Sequence, residues 1–431
     1  GECSERLTAF GGLLSLVKFL DLIDFEKRFE EHYVHPKREP KLGGYRMVSG
    51  LLMLLFIGFQ RLGHFTYIRK DTMLCGFLRV SVLPAVSTFW RYLVSLTIVQ
   101  SASLVRLGGS LREKVWELCE YRPRRVTVNI DTTVSTVYGR IEGARKGHNT
   151  KHRGKKGLRP VLCFLAETRE YLCGTQRRGE TMTNLEVVRQ IKQFRRLLPE
   201  YVEQITVHGD GEFLGWKTVE ACIKERFSFT FGNKRCNPEF VEDNWYRYRD
   251  YEYNESLYQP TKWEQACRFV VMRIRKEQIG QRQMKLLDSD NYVYRVFVTN
   301  ERGRPHRVIA NYDQRADVEN LIGEAQQEGV LAIPSTRFQA HHAFFQIVML
   351  AYNLWRWMKL VAGHAERQKM GGQTSDESRP ITMPNHTIRI ARLKMLYIAA
   401  KIRFHSNRDE VSYSVHEQRA AGLIDFLEYL D

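Results

Sequence analysis

Two short segments near the middle of the chain have the alternating pattern of a half-buried strand, and each ends at an aspartate. Apolar residues occupy every second position from 126 to 130, and Asp131 follows them. Residues 204–209 form a second run rich in β-branched residues, which Asp210 closes. Because successive side chains of a strand point to opposite faces, the alternation predicts two strands with one buried face each. Both aspartates therefore lie at predicted strand ends.

A third segment has the period of an amphipathic helix. Four side chains share one side of it, within about 60° of one another: Tyr312, Arg315, Glu319 and Gln326. An apolar stripe beside them is expected to face the core, and it consists of Val318, Leu321, Ile322 and Ala325. Asp313 and Asp317 fall on other sides and are interpreted as solvated charges. Glu319 is therefore the acid that this helix presents next to the core.

The patterns divide the chain into five regions and predict an α/β protein. Residues 1–123 have helical periods, and residues 124–232 alternate strands and helices. Residues 233–304 are too long for an ordinary connection and contain β-like runs, so we expect a mostly β insertion. Residues 305–365, with the glutamate helix, would complete the core, and 366–431 form a C-terminal region. The order of core elements is that of the ribonuclease-H-like fold, a mixed sheet with helices on both faces.

Finer expectations concern the two ends of the chain. The glycine pair Gly108–Gly109 is expected to interrupt the N-terminal helices. Towards the C-terminus we expect a long apolar helix over 341–360, a polar loop over 371–384, basic β structure over 387–415 and a last helix over 416–429.

Charge is the compositional feature that changes this picture. The 431 residues carry a formal charge of +17 at pH 7, which predicts a polyanionic partner, most often nucleic acid. A merely basic protein is the alternative. The 8 cysteines lack metal-ligand spacing and are interpreted as reduced thiols of a cytoplasmic protein. The longest apolar run, over 48–59, is too short to span a bilayer, so no membrane partner is expected.

The loop after Asp131 is the most basic segment. Between Gly139 and Arg159 only Glu142 is acidic, and the basic residues are Arg140, Arg145, Lys146, Lys151, Arg153, Lys155, Lys156 and Arg159. Glycines in the loop let the backbone approach a phosphate chain closely. A run of charge is usually a solvated face, but this one follows a strand that carries a candidate catalytic acid. We therefore predict that the loop binds DNA.

Aromatic residues are frequent in the predicted insertion. Bases freed from a duplex stack on such rings with about 1–3 kcal/mol each, and Trp245 and Trp263 are the candidates. The alternative is that the rings pack in the hydrophobic core of the insertion, and for any single ring this alternative is favoured.

Two aspartates on strand ends and a glutamate on a helix are what a site for two magnesium ions needs. Carboxylate oxygens suit Mg²⁺, with Mn²⁺ as a substitute. Such a site activates the nucleophile and stabilises the leaving oxygen in phosphoryl transfer. Asp131 and Asp210 would bind metal jointly, and Glu319 would complete the shell of one ion. Glu212 and Glu142 are the alternatives to Glu319.

Four motifs resemble the DDE transposases of bacterial insertion sequences. The spacing of Tyr312, Arg315 and Glu319 is similar to their tyrosine-arginine-glutamate-lysine signature, with Gln326 at the position of the lysine. Three other stretches resemble the group called insertion sequence thirteen-eighty, and they are residues 131–144, 208–213 and 349–354. The resemblance runs from about residue 124 to 358.

This resemblance implies a DNA transposase that binds transposon terminal inverted repeats, cleaves them and joins the 3′ hydroxyl ends to target DNA. It implies a homodimer in a synaptic complex, in the nucleoid of a bacterial cytoplasm, with Asp131, Asp210 and Glu319 as catalytic residues. Arg315 would orient Glu319 or pair with a phosphate, and Tyr312 would contact end DNA, as would Gln326 in place of the lysine.

Several alternatives stay open. Residues 1–123 would bind end DNA and make dimer contacts, or serve only as a helical scaffold. A ribonuclease-H-like nuclease or resolvase that cuts without joining strands is a second function. A domesticated, non-catalytic DNA-binding protein is a third.

Overall fold

A mixed β-sheet runs through the centre of the protein. The computed structural model describes residues 5–147, 152–180, 184–234, 236–278, 291–369, 386–404 and 409–431. Its strands, in chain order, are β1 (Leu7–Thr8), β2 (Arg125–Thr132), β3 (Ser135–Thr136), β4 (Arg145–Lys146), β5 (Lys156–Leu158), β6 (Val161–Leu165), β7 (Tyr171–Thr175), β8 (Gln204–Gly209), β9 (Ser228–Gly232), β10 (Tyr246–Tyr248), β11 (Tyr251–Tyr258), β12 (Cys267–Arg275), β13 (Tyr292–Thr299), β14 (Ala400–Phe404) and β15 (Asp409–Tyr413).

The central sheet has the spatial order β10-β11-β12-β13-β9-β8-β2-β6-β7. Strand β2 pairs in parallel with β8, with Arg125 opposite Gln204 and Ile130 opposite Gly209. On its other side β2 pairs antiparallel with β6, and β9 pairs antiparallel with β13. The predicted strands before Asp131 and Asp210 and the predicted mixed sheet are thus confirmed.

Helices account for most of the rest of the described chain. Their bounds are α1 (Leu13–Leu22), α2 (Phe25–His32), α3 (Gly44–Phe56), α4 (Phe65–Ile68), α5 (Thr72–Phe77), α6 (Val86–Ser95), α7 (Ile98–Leu118), α8 (Asn184–Ile191), α9 (Trp216–Lys224), α10 (Pro305–Asp313), α11 (Asp317–Ala325), α12 (Phe338–Lys369), α13 (Ile388–Met395) and α14 (Gln418–Leu430). None of the described helices is both long and apolar enough to cross a membrane.

Each face of the central sheet is buried under helices. Val128 of β2 packs in one core with Ile191 of α8 and Val219 of α9. Phe164 of the neighbouring β6 points the other way and packs in a second core with Trp355 of α12. The apolar side chains of β2 therefore face one helical layer. Its polar side chains, with Asp131 among them, are on the opposite face of the sheet.

The N-terminal region is helical, as predicted, with two exceptions. Strand β1 pairs with β14, which local sequence did not indicate. Gly108 and Gly109 lie inside α7 and do not interrupt it. A Cβ atom on Gly109 would stand 3.3 Å from Leu197 Cδ2, so the glycine allows α7 to pack closely against the segment before β8.

The helical segment that carries Glu319 is continuous but changes its helix type along its length. Helix α10 passes through a 3₁₀ turn over Gln314–Ala316 into α11, which ends in a wider π turn over Gln326–Val330. Backbone angles stay right-handed up to Gly329, whose φ of 114° ends the segment. The predicted apolar stripe is buried, as expected.

The strands of residues 246–299 continue the central sheet. Strand β13 pairs with β9 through Phe297, Val298 and Thr299. Strands β12, β11 and β10 then follow by antiparallel pairing. Helix α10 packs on this extension, because Ile309 and Tyr312 share a core with Val270 and Phe297. The extension therefore supports the helix that leads to Glu319.

The C-terminal region only partly has the predicted structure. Residues 388–395 form helix α13, capped by the Thr387 hydroxyl, so the expectation of β structure throughout 387–415 is wrong. Strands β14 and β15 do form, and the terminal helix is confirmed as α14. The predicted helix over 341–360 is confirmed and extends through α12. The predicted polar loop over 371–384 lies outside the described residues.

A buried carboxylate joins the N-terminal helices to the sheet. Glu170, in the turn between β6 and β7, accepts hydrogen bonds from Arg112 Nε at 3.0 Å and from Trp116 Nε1 at 2.9 Å, both on α7. Thr168 and Trp357 of α12 also donate to it. Arg112 and Glu170 have no exposed side-chain surface. One carboxylate thus holds three elements together.

Replacing Arg112 by alanine should lower the free energy of unfolding by about 3–5 kcal/mol, because it leaves Glu170 buried without its charge partner. Chemical denaturation of the purified protein measures this. The control is Arg124→Ala, which removes an exposed ion pair with Glu203 and should cost less than about 1 kcal/mol. Equal losses in the two variants would contradict the structural role of Arg112.

Candidate active site

The parallel pairing of β2 and β8 brings Asp131 and Asp210 to the same edge of the sheet. Ile130 lies opposite Gly209, so the next residue of each chain segment is an aspartate. Neighbouring strands are about 4.8 Å apart, which sets the spacing of the two backbones. The carboxylates that the sequence predicts to meet therefore start from adjacent positions.

Asp131 is largely buried and ion-paired. Its side chain is 19% exposed, and Oδ2 lies 3.0 Å from Nη2 of Arg315. Its Oδ1 accepts a hydrogen bond from the backbone N–H of Thr132 at 2.7 Å. Burial raises the pKa of Asp131 to about 6, with contributions from the charges of Asp210 and Glu319, while Arg315 and the Thr132 N–H lower it. Asp131 is thus near half ionisation at mildly acidic pH.

Asp210 is more open and is compensated by a lysine. Its Oδ2 accepts a hydrogen bond from Lys234 Nζ at 3.1 Å, and both side chains are partly exposed. Its Oδ1 accepts from the backbone N–H of Glu212 at 2.7 Å, which holds the turn after β8. Lys234, two residues beyond the end of β9, was missed by the sequence analysis. The signal available was its place after a strand parallel to β8.

Glu319 projects from α11 as an exposed side chain into the cleft beside Asp210. This cleft has a volume of about 300 Å³ and is lined also by Lys234, Arg315 and Tyr312. Asp317 faces away from this cleft and forms a surface ion pair with Arg169, whereas Asp313 also lines the cleft and is paired with Arg295. The helix thus presents the acid that its periodicity selects, although the other two acids are paired instead of merely solvated.

Tyr312, Arg315 and Gln326 tie the glutamate helix to the two acid-bearing strands. The Tyr312 hydroxyl donates to the carbonyl oxygen of Gly209 at 3.1 Å, next to Asp210. Arg315 donates to the carbonyl oxygen of Ile130 at 3.3 Å, next to Asp131. Gln326 Nε2 donates to the Thr133 hydroxyl at 2.5 Å. All three side chains therefore face the same strand ends, as the helical wheel predicts.

The alternative acids are engaged in other contacts. Glu212 Oε2 lies 2.6 Å from Arg159 Nη2, and Arg159 also donates to Thr132 at 3.3 Å. Glu142 accepts a hydrogen bond from the backbone of Phe338. Arg159 is 8% exposed in its side chain, so it lies beneath the strand ends and not on the surface of the basic loop. Among the described residues that line the cleft beside Asp210, Glu319 is present and Glu212 and Glu142 are not.

The basic loop forms a small sheet of its own. Strands β3, β5 and β4 pair in that order, and the exposed basic residues described are Arg140, Arg145, Lys146, Arg153, Lys155 and Lys156. Arg145 is within 3.3 Å of Glu180, an exposed ion pair. Lys151, the remaining predicted residue, lies outside the described residues. The surface next to β2 is therefore strongly cationic.

The two candidate tryptophans pack against protein. Trp263 lies against Trp216, with ring centroids 5.6 Å apart, at the edge of the hydrophobic core. The guanidinium of Arg273 lies 3.8 Å from the ring centroid of Trp245. Each ring is partly buried. These contacts favour the packing alternative for both residues.

The donor chemistry of the three acids suits a hard divalent ion. Carboxylate oxygens are the ligands that Mg²⁺ prefers. Within the described part of the chain, however, no group of three acidic, histidine or cysteine side chains is gathered as a ligand set for one ion. Asp131 and Asp210 are compensated instead by Arg315 and Lys234.

A family model described as transposase DDE domain group 1 matches residues 4–429. No curated protein matches the chain. Among solved structures, the chain is similar to a piggyBac transposase synaptic complex with hairpin DNA, with a TM-score of 0.39 at 10% identity over 91% of this chain and 86% of that chain. It is also similar to a Mos1 transposase paired-end complex with the left transposon end, with a TM-score of 0.18 at 11% identity over 48% of this chain and 65% of that chain. Since both TM-scores are low, the family match is the finding that bears on function.

Replacing Arg315 by glutamine should raise the pKa of Asp131 above its value of about 6, because a positive charge that favours the carboxylate is removed. Carbon-13 NMR titration of labelled aspartate measures this. Arg315→Lys keeps the charge and serves as the control. An Asp131 pKa that is lower or unchanged in Arg315→Gln would contradict the ion pair.

Folding raises the pKa of Asp131, so its ionisation lowers the stability of the folded protein as pH rises towards 6. Asp131→Asn should remove that loss of stability.

Proposed function

The chain belongs to the transposase DDE domain group 1 family, and from this premise we propose which of its residues carry the reaction. As a DDE transposase it is a metal-dependent enzyme that cleaves DNA and transfers strands. We assign catalysis to Asp131, Asp210 and Glu319. The observation that carries the assignment is the register of β2 and β8, which sets two acids side by side, with α11 presenting the third to the cleft beside Asp210.

We propose that the three acids hold two Mg²⁺ ions, with Mn²⁺ as a substitute. When bound, such ions activate the attacking oxygen and stabilise the leaving oxygen of the phosphodiester. The protein's own part is to fix the acids. Arg315 holds Asp131 through one ion pair and holds its strand through the Ile130 carbonyl. Lys234 lines the same cleft and pairs with Asp210, so it is the cation that would be exchanged for metal and would then be available to a DNA phosphate.

The substrates we propose are transposon terminal inverted repeats and target DNA. Water first attacks the phosphodiester at the transposon end, which breaks the P–O3′ bond and leaves a 3′ hydroxyl on the transposon and a 5′ phosphate on the flank. This hydroxyl then attacks a target phosphodiester and displaces the 3′ oxygen of the target strand. Tyr312 is buried and bonded to Gly209, so we assign it to positioning the strand beneath Asp210. Gln326, bonded to Thr133, has the corresponding role beyond Asp131. The membership of the insertion sequence thirteen-eighty group remains part of this proposal and rests on the motifs alone.

We propose a homodimer in the synaptic complex, because paired insertion needs two active sites and this chain has one set of the three acids. The helices of residues 1–123 and α14 are the candidate contact surfaces, since the cleft must stay open to DNA. In this proposal the protein acts on the nucleoid of a bacterial cytoplasm. The N-terminal helices and the rings of Trp245 and Trp263 remain candidates for end-DNA contacts, although both rings have protein partners.

Asp131→Asn, Asp210→Asn and Glu319→Gln should each abolish metal-dependent cleavage of end DNA and retain end binding, because each removes one anionic ligand without adding bulk. Gel assays of cleavage and of strand transfer with Mg²⁺ measure both steps. Asp317→Asn, on the same helical segment but outside the cleft and paired with Arg169, is the control and should stay active. If the wild-type protein cleaves end DNA but does not join it to target DNA, the nuclease alternative is favoured. Activity in Glu319→Gln would make Glu212 the next candidate.

Neutralising Arg153, Lys155 and Lys156 together should flatten the salt dependence of DNA binding. Each phosphate contact contributes a slope of about −0.9 in log K against log salt, so three contacts would remove up to about 2.7. Fluorescence anisotropy over a salt series measures the slope. Swapping lysine and arginine at the three positions preserves charge and should leave the slope as it was. An unchanged slope in the neutral variant would mean that this loop is only a solvated face.

A further inference from the structure

A polar groove lies at the end of β2 and β8 that is remote from the catalytic acids. It has a volume of about 950 Å³. Side chains of three adjacent strands form its floor, among them Thr127, Thr206 and Ser228. Four arginines line it, and they are Arg125, Arg226, Arg302 and Arg307. The groove therefore combines hydrogen-bonding groups with concentrated positive charge.

The charge of these arginines is not compensated locally. All four are exposed, and none has an acidic side chain within ion-pair distance among the described residues. Glu301 is the only acid among the described lining residues, and it is committed elsewhere. It accepts a hydrogen bond from the Thr230 hydroxyl at 2.6 Å and lies 3.4 Å from His208. Four uncompensated cations around one polar cavity favour an anionic ligand.

The groove has a fixed relation to the active site. Thr127 and Asp131 are four residues apart on β2, so they lie on the same face of the sheet. Arg125 precedes Asp131 by six residues, or about 20 Å at about 3.3 Å per residue. Helix α10 and the turn after it form the wall between the two sites, because Arg307 lines the groove while Arg315 lines the cleft.

We propose that this groove is a second DNA-binding site, which holds the phosphodiester backbone about 20 Å from the phosphate being cleaved. Since one strand of DNA carries a phosphate about every 3.4 Å along the helix axis, this distance corresponds to about six nucleotides. The inference rests on the proposed function only for the position of the cleaved phosphate. The charge and shape of the groove are independent of it.

Phosphate is the anion that suits this groove best. Arginine forms paired hydrogen bonds with phosphate oxygens, and hydroxyl and amide groups such as Thr206 and Gln204 supply further donors to a backbone. The groove contains few apolar side chains on which bases could stack. It therefore binds backbone and positions DNA without reading its sequence.

The test is the double variant Arg125→Gln, Arg307→Gln. Its slope of log K against log salt, measured by fluorescence anisotropy, should be smaller by about 1.8, because two phosphate contacts are lost. Arg125→Lys with Arg307→Lys preserves both charges and should restore most of the slope. The matched control is Lys192→Gln with Arg196→Gln, two exposed cations beside α8 on the other face of the sheet, which should leave the slope unchanged.

Two DNA probes identify the source of the backbone. Phosphate-ethylation interference on a transposon-end duplex and on a target duplex in strand-transfer complexes should show a contact about six nucleotides from the reacting phosphate on one of them, lost in the glutamine variant. A slope unchanged on both duplexes overturns the proposal and leaves an acidic protein segment as the ligand. Weaker binding with an unchanged slope also overturns it, because the loss would then be structural.

Cleavage separates this inference from the proposed function. The glutamine double variant keeps all three acids, so it should cut end DNA in low salt at saturating protein. If the glutamine variant shows the expected smaller slope but the wild-type protein does not cleave end DNA, the groove is upheld and the catalytic assignment is rejected. If the variant cleaves end DNA and its slope equals that of the wild-type protein, the catalytic assignment is upheld and the groove is rejected.

Discussion

The fully buried pair of Arg112 and Glu170 is the contact on which the arrangement of the layers depends. Glu170 lies in the turn that joins β6 to β7, and β6 is the antiparallel neighbour of β2. The same carboxylate receives donors from α7 and α12, so the N-terminal helices, the sheet edge and the long helix after Glu319 share one polar centre. A charge without surface exposure is tolerated only when every lone pair has a donor. These contacts hold β6, and with it the neighbouring β2 that carries Asp131, against the helical layer.

The candidate active-site edge differs from this buried ion pair in how its acidic side chains are compensated. Asp131 and Asp210 lie at neighbouring strand ends, and for Asp131 burial and the nearby charge of Asp210 both oppose ionisation. The protein compensates them unequally. Arg315 is mostly buried and held by a second bond to the strand, whereas Lys234 is half exposed on a loop after β9. One compensating cation is therefore held at two points and the other by one exposed contact, which suits the proposed exchange of a protein cation for metal and a DNA phosphate.

How far the sequence predicts this structure depends on whether the determining contacts are local. The period of two before Asp131 and the period of 3.6 around Glu319 record burial of one face within a single element, so both elements were predictable. Gly109 is helical instead of a break because its role is set by close packing on Leu197, far along the chain. Residues 388–395 were misread because basic residues among β-branched ones fit either structure, and the Thr387 cap with packing against the core decides for helix. Lys234 and the inward turn of Arg159 depend on which strands become neighbours, and no local period encodes that.

Strand β2 also connects the two cationic surfaces of the protein. Strand β2 begins at Arg125 in the arginine-lined groove and ends one residue after Asp131, immediately before the loop whose exposed cations form the other basic surface. Its acid thus lies between two cationic surfaces, one of them about 20 Å away. In the proposed function, a DNA backbone that contacts both surfaces would pass across this strand end. Positive charge at the two ends of one strand would therefore hold the proposed DNA substrate across Asp131, whose own charge is compensated by Arg315.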